Sequence, residues 1–245
     1  MSSDTNVSEL NLSDAELIAL LENHGMNRRF LMKVFGVGAV ASALGGTASG
    51  EKPGGASIDE VYGATYFKDE TPPSGLVDHV VQLHAHDEDD DEESDPFEFF
   101  FDPVGLHVEP GTVVQFEVHG PVTHTATSFH PYYEGLPKRV PKETPYTSPP
   151  VAAGEDGPAD SWLYRFTTSG VHDVVCLPHL PLGMVMRIVV FDPKRDSLDD
   201  LEDYGSLPPA PVFGPANTVL TDDELDPQNV VEDPDGAIPW AELGL

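Results

Sequence analysis

The nine residues from Cys176 to Met184 constrain this chain more than any other segment, because they place a thiol, an imidazole and a thioether in one short loop. The flanking stretches, His172–Cys176 and Met184–Phe191, are rich in β-branched and apolar residues and have the composition of strands. A tight loop between two such strands can bring Cys176, His179 and Met184 to one point. Thiolate and thioether are soft ligands and imidazole is borderline, a combination that selects copper over magnesium or calcium.

A copper site of this kind needs a second histidine from elsewhere in the fold, because three strong ligands, His₂Cys, lie around the metal with a distant axial Met. The candidates are His119, His124 and His130. His119 lies on the polar face of an alternating strand and is expected to be exposed, and His130 lies where a loop begins. We favour His124, because it follows a turn and opens a short strand that can hold it rigidly.

The remainder of the chain after residue 50 reads as short strands separated by Pro-Gly, Ser-Gly and Asp-Pro turns. In the segment 112–119, Val114, Phe116 and Val118 share one face, whereas Gln115 and Glu117 lie on the other. No long helical period occurs after residue 50. The sequence therefore predicts an all-β fold, a sandwich of two sheets.

The charge balance narrows the class of protein further. The 245 residues include 12 Lys and Arg against 43 Asp and Glu, a formal net charge of −31, and a single Cys. This charge argues against binding to nucleic acid or to anionic membrane surfaces. One Cys excludes an internal disulfide framework and Cys-rich zinc or iron–sulfur sites. A surface so acidic is typical of a halophilic source.

The first fifty residues predict a targeting segment. Arg28 and Arg29 precede a short Gly/Ala-rich apolar run, a pattern that resembles a twin-arginine export signal. The run holds about fifteen residues, fewer than the roughly twenty that a membrane-spanning helix needs. A buried helix after a chance arginine pair is the alternative. We expect the segment to be disordered or helical, and the protein to be exported and extracellular or associated with the cell surface.

These patterns divide the chain into four parts: a signal segment at 1–50, a Pro/Gly-rich linker at 51–75, a β-domain at 76–193 and an acidic, proline-rich C-terminal extension at 194–245. The charge run 86–95 predicts a solvated loop. His84 and His86 have the spacing that places two imidazoles on one strand face, and they indicate at most an adventitious metal-binding surface.

The pattern C-x2-H-x4-M, preceded by PGTVVQF and His124, resembles the cupredoxin family of small blue copper proteins, most closely its halocyanin-like and plastocyanin-like haloarchaeal members. The resemblance covers about residues 76–193 and implies a Greek-key β-sandwich. It implies one type 1 copper ion held by His124, Cys176, His179 and Met184. The family often has Asn directly after the first His as a brace between ligand loops; Thr125 stands there, and its hydroxyl is expected to act with a different geometry.

The same resemblance implies a non-enzymatic, monomeric electron carrier that exchanges electrons with protein redox partners, with membrane contact only peripheral or through an uncleaved signal. It also implies that the imidazole edge of His179 emerges through an apolar surface patch that includes Leu180. The alternative function is copper delivery or storage. Delivery needs an exchangeable, usually Met- or His-rich site, and only Met184 and Met186 of the five Met lie near Cys176.

Overall fold

The structure is a computed structural model that describes residues 58–67, 70–85, 99–120, 122–133, 136–152, 160–199, 201 and 214–245. The predicted export signal, His86 and the charge run 86–95 lie outside the described residues. Within the described part of the chain, no helix is long and apolar enough to cross a membrane.

The described residues form ten strands, two short α-helices and several 3₁₀ turns. The strands are β1 (Ala64–Tyr66), β2 (His79–Ala85), β3 (Phe99–Asp102), β4 (Gly105–Val108), β5 (Thr112–His119), β6 (Thr127–Ser128), β7 (Ser161–Phe166), β8 (Gly170–Val175), β9 (Val185–Val190) and β10 (Ala237–Ile238). The helices are α1 (Gly214–Leu220) and α2 (Pro227–Glu232). The 3₁₀ turns include Leu180–Leu182, Asp223–Leu225 and Trp240–Glu242.

The strands pair into two five-stranded sheets, in the orders β1-β7-β5-β2-β3 and β10-β4-β9-β8-β6. The pairs β2–β5 and β4–β9 are parallel, and the others are antiparallel. Parallel neighbours far apart in sequence require the chain to cross between the sheets. The predicted all-β sandwich is confirmed.

The core lies between the two sheets, and the alternation of β5 explains how the first sheet faces it. Val114, Phe116 and Val118 are buried as predicted, whereas Gln115, Glu117 and His119 on the other face are half-buried. Strand β9 differs, because all six of its residues are buried. A strand buried on both faces needs a covering layer on its outer side.

That layer is formed by residues 214–245, which we call the C-terminal cap. Strand β10 extends the second sheet beside β4, while α1 and α2 pack against β9. Ala216, Val219 and Val230 point their side chains into this contact and are fully buried. The sequence did not predict these helices. Their apolar residues are too few for a visible helical period, although Asp226 caps α2 by accepting from the Gln228 N–H, ahead of Pro227 in the first turn.

Part of the range predicted as a linker also joins the fold, since β1 pairs with β7. The Trp162 indole N–H donates to the Tyr62 carbonyl at 2.8 Å and fastens this N-terminal strand further. The division of the chain into a signal, a linker, a β-domain and an extension stays a prediction.

Candidate metal centre

Backbone hydrogen bonds close the loop between β8 and β9 into a fixed turn. The Cys176 N–H donates to the Met184 carbonyl at 3.0 Å, and the His179 N–H donates to the Cys176 carbonyl at 3.1 Å. The chain then makes the 3₁₀ turn Leu180–Leu182 and reverses at Gly183, whose φ of 93° lies in the left-handed region that favours glycine. The loop thus turns Cys176, His179 and Met184 toward one point, as their spacing predicts.

The first histidine reaches the same point from another part of the fold. His124 and Val151 exchange two backbone hydrogen bonds of 2.9 Å each. This pairing holds the backbone of His124 in place, and its side chain projects from there into the site. The partner segment around Val151 has no sequence signal that links it to His124. His119 lies outside this cluster, half-buried on the outer face of the first sheet, and His130 bonds locally to the Tyr132 N–H.

Four side chains converge through their ligating atoms. The Cys176 Sγ lies 3.2 Å from the His179 Nδ1 and 3.7 Å from the His124 Nδ1. The Met184 Sδ lies 3.2 Å from the His124 Nδ1. Among the described residues, His124, Cys176 and His179 form the one group of three or more His, Cys, Asp or Glu residues whose ligand atoms lie within 4.8 Å of one another. Each is buried, and His179 is the most exposed at 9%.

Burial keeps this cluster neutral without a metal. Burial raises the pKa of the Cys176 thiol to about 12, and it lowers the pKa of His179 to about 3. The pKa of His124 is also well below its usual value, because of burial first and of His179 and His84 next. Neutral imidazoles are the form that binds a metal, whereas the thiol must release its proton when a metal binds.

The donor set fits one copper ion. Both Nδ1 atoms point at sulfur atoms, which are weak hydrogen-bond partners, and separations of 3.2 to 3.7 Å leave room for one ion with bonds of about 2.0–2.3 Å. The Nε2 of His124 is buried and has no hydrogen-bond partner among the described residues. Two imidazoles, one thiolate and a thioether are the donors of a type 1 copper site, and the thioether distinguishes this set from a zinc site.

Thr125 braces the two ligand loops against each other. Its hydroxyl accepts a hydrogen bond from the Leu177 N–H at 2.9 Å, and its own N–H points at the Cys176 Sγ at 3.4 Å. The hydroxyl thus makes the link between loops expected at this position. A donor close to the sulfur also favours the thiolate.

The surroundings of His179 differ from the expectation. Phe99, from β3, stacks on the His179 ring with centroids 4.1 Å apart and planes inclined by 7°. Helix α1 packs against the 3₁₀ turn Leu180–Leu182, and Leu180 is only 1% exposed. The prediction that the edge of His179 emerges through an apolar patch is wrong for Leu180, which the C-terminal cap covers, whereas Pro181 and Leu182 of the same loop are half-buried and 9% of His179 remains accessible.

Comparisons with known proteins find similar folds among solved structures. No family model and no curated protein matches the sequence. Similar solved structures include the pseudoazurin of Methylobacterium extorquens AM1, with 22% identity over 63% of this chain and 98% of that one and a TM-score of 0.38. They also include the pseudoazurin of Sinorhizobium meliloti (18% identity, 63% and 96% covered, TM-score 0.37) and a purple cupredoxin of Nitrosopumilus maritimus (21%, 46% and 100%, 0.32).

Proposed function

We propose that this protein is a copper-dependent electron carrier in which His124, Cys176, His179 and Met184 hold one type 1 copper ion. The observation that carries the proposal is the convergence of two imidazole Nδ1 atoms on the Cys176 thiol beside the Met184 thioether, all four side chains being buried. Copper bound there supplies a one-electron couple and a visible charge-transfer band from its bond to the thiolate.

The protein's own contribution is to keep the ligands in place in both oxidation states. His124 is fixed by its backbone pairing with Val151, and the thiol loop is fixed by the hydrogen bond between Cys176 and Met184. Phe99 restrains the ring plane of His179. Since the ligands are packed and dry, gain or loss of an electron calls for little movement of protein or water.

The buried ligands favour an electron carrier over a copper-delivery or storage protein. A delivery site must exchange its metal, and exchange needs ligands that solvent or a partner can reach. Here the two sulfur ligands are completely buried, and His124 is as well. We therefore expect loaded protein to retain copper against an excess of chelator. Rapid loss to the chelator would support delivery instead.

The direct test is the visible spectrum of metal-free protein titrated with Cu(II). We expect an intense band at one equivalent, and Cys176→Ser should remove it because the thiolate is its source. A matched pair tests the axial position. Met184→Leu removes a ligand and should shift the reduction potential, whereas Met186→Leu makes the same change at a buried residue outside the cluster and should leave the potential unchanged. A full band in Cys176→Ser would refute the assignment.

We also propose that the protein is exported through its twin-arginine segment and functions at or outside the cell surface with protein redox partners, without enzymatic activity. Support comes from the pair Arg28 and Arg29 ahead of the apolar run. Changing both to Lys preserves the charge and should leave precursor inside the cell. The double variant Arg165→Lys, Arg195→Lys is the control. Normal export of the Arg28, Arg29 variant would exclude this route.

A further inference from the structure

The outer face of the first sheet brings together two histidines that the sequence does not link. Strands β2 and β5 are parallel neighbours, and their register pairs His84 with His119. Both side chains are half-buried on the face that points away from the core. The spacing in the sequence couples His84 with His86 along one strand instead. The fold therefore creates a histidine pair across two strands, and each ring comes from a different part of the chain.

The separation of the two rings matches that of two imidazoles that share one metal ion. The ring centroids of His84 and His119 lie 5.3 Å apart, with planes inclined by 32°. The centroids of the candidate copper ligands His124 and His179 lie 4.8 Å apart. A metal with tetrahedral geometry and bonds of about 2.0–2.1 Å to two imidazole nitrogens holds the ring centres roughly 5 Å apart. The pair on the outer face is thus spaced for one ion.

A hydrogen bond holds His84 in the tautomer that a metal ligand requires. The His84 Nε2 lies 3.0 Å from the Gln82 Oε1. An amide oxygen can only accept, so Nε2 donates its proton to Gln82 and the lone pair of the ring remains on Nδ1. Histidine ligands of metals almost always donate their second ring N–H to an oxygen or a water in this way. Gln82 therefore determines which nitrogen of His84 can bind a metal.

The ring plane of His84 is restrained as well. Phe100, from β3, stacks on this ring with centroids 4.8 Å apart and planes inclined by 12°, and Phe100 stacks in turn with Trp240 at 5.0 Å. The backbone N–H of Trp240 donates to the carboxylate of Asp102 at 2.9 Å, which holds the C-terminal cap against this sheet. A side chain restrained in this way loses little conformational entropy when it binds a ligand.

The charges around the pair favour a cation. Asp102 and Glu117 lie on the same outward face, in the two strands that flank β2. The run 86–95 lies between β2 and β3 in the chain, and eight of its ten residues are Asp or Glu. Negative charge of this density raises the local concentration of dications. The ring of His84 is neutral near pH 7, because burial first and then His119 lower its pKa, against a smaller opposing effect of Asp102.

We propose that His84 and His119 form a second metal site, separate from the copper centre, for a divalent transition-metal ion such as Zn(II), Ni(II) or Cu(II). Imidazole nitrogen suits these ions, whereas Mg(II) and Ca(II) prefer oxygen ligands. The two imidazoles supply two bonds and water supplies the others, because the described residues form no group of three His, Cys, Asp or Glu here with ligand atoms within 4.8 Å of one another. This site binds its ion whether or not copper occupies the other.

The test is an NMR titration of metal-free, isotope-labelled protein with Zn(II), in which the ring nitrogens of each histidine give separate signals. Zn(II) is diamagnetic and does not oxidise Cys176. The titration is run in about 1 M KNO₃, where a Debye length of about 3 Å releases ions held only by the acidic surface. We expect the ring signals of His84 and His119 to shift together and to saturate at one ion per pair, with the His84 Nε2 still protonated.

A shift of only one of the two rings would overturn the proposal. Shifts spread over the exposed histidines without saturation would mean an adventitious ion only, and would overturn it as well. Signals that move only at His124 and His179 would show that Zn(II) enters the copper centre alone, and they would exclude the second site while leaving the proposed function intact.

A matched pair of variants tests the ligands. His119→Ala removes one ligand and should weaken Zn(II) binding at His84 by roughly tenfold or more. His79→Ala removes an exposed histidine from the same strand as His84 and should leave the affinity unchanged. Equal affinity in wild type and His119→Ala would contradict a shared ion.

Gln82→Leu tests the positioning of His84. Without the amide oxygen, the metal-free ring should populate both tautomers, and Zn(II) binding should weaken by about tenfold, the low end of the range for groups that orient a metal ligand. Gln115→Leu makes the same change at a half-buried position of β5 on the same face, and should behave as wild type. Wild-type affinity and an unchanged tautomer in Gln82→Leu would show that His84 is not prepared for a metal, and would reduce the pair to an adventitious site.

Discussion

His172 is a fully buried histidine outside the copper cluster, and it makes the stability of the fold depend on pH. One ring nitrogen lies 2.9 Å from the Thr168 carbonyl and the other 3.3 Å from the Tyr146 hydroxyl, and the ring packs edge-on against Phe166. Burial lowers its pKa from 6.5 to about 4, an effect that the hydrogen bond to Thr168 partly opposes. The folded protein therefore keeps this ring neutral at pH values where the unfolded chain already binds a proton.

Proton linkage gives the direction in which stability changes with pH. Between pH 6.5 and 4 the unfolded state binds more protons at this position, so the contribution of His172 to stability is present above pH 6.5 and falls as the pH falls, by up to about 3 kcal/mol. We expect metal-free His172→Gln to lose less stability than wild type between these pH values in urea unfolding. His79→Gln, at an exposed histidine, should follow wild type. Identical pH dependence in wild type and His172→Gln would contradict the assignment.

The residues of the metal centre differ in how far the sequence could predict them. Cys176, His179 and Met184 lie within nine residues, so their spacing alone brings them together once two strands flank the loop. His124 needed a choice among three histidines, because its contact with the loop is made by the fold. Phe99 left no signal at all, since an aromatic residue in an apolar strand is ordinarily part of the core.

At the scale of elements, the contact between β4 and the C-terminal cap has no spare room. A Cβ atom at Gly105 would lie 2.8 Å from the Leu225 Cδ2 and 2.9 Å from the Ile238 Cγ1. Beneath this contact, Arg187 of β9 donates to the buried carboxylate of Asp173 and to the Leu225 carbonyl. The cap is therefore tied to the second sheet by both packing and a charged hydrogen bond.

This packing predicts that Gly105→Ala destabilises the protein. The added methyl group must displace Leu225 or Ile238, and overpacking of this kind costs about 1–3 kcal/mol. Gly214→Ala makes the same change at the first residue of α1, where nothing lies within 4 Å of the new Cβ, and should be nearly neutral. Chemical unfolding of both variants measures the difference. A Gly105→Ala protein as stable as Gly214→Ala would show that the cap is not packed against β4.

The strands could be predicted from sequence but the helices of the cap could not, for a physical reason. Strand β5 alternates because one of its faces is solvated, and this alternation is visible in the sequence. The helices of the cap have seven and six residues, too short to show a helical period or to be stable alone. Their stability comes from contact with β9, in which every residue except Arg187 is apolar. Such a sequence predicts burial on both faces without indicating which segment provides the cover.

The molecule as a whole combines an apolar interior with an excess of negative charge. The chain has 43 acidic and 12 basic side chains. Two of the basic residues, Arg139 and Arg187, are buried and form ion pairs with the buried carboxylate of Asp173, so they do not neutralise carboxylates on the surface. The carboxylates of the surface are thus left with few cationic neighbours, and their mutual repulsion opposes folding.

This excess of carboxylates predicts that the melting temperature rises with salt. The Debye length falls from about 30 Å at 0.01 M to about 3 Å at 1 M, so repulsion between surface carboxylates is largely removed over that range. We expect the melting temperature of metal-free protein to rise with KCl, most steeply at low concentrations where the Debye length changes most.

At pH 4, where ordinary carboxyl groups are about half protonated, the same titration should give a smaller rise. Sucrose serves as a second control, because it stabilises folded proteins by exclusion from their surface without screening charge. A melting temperature independent of KCl at pH 7 would mean that surface repulsion does not limit the stability of this fold, and would remove the argument for a halophilic source.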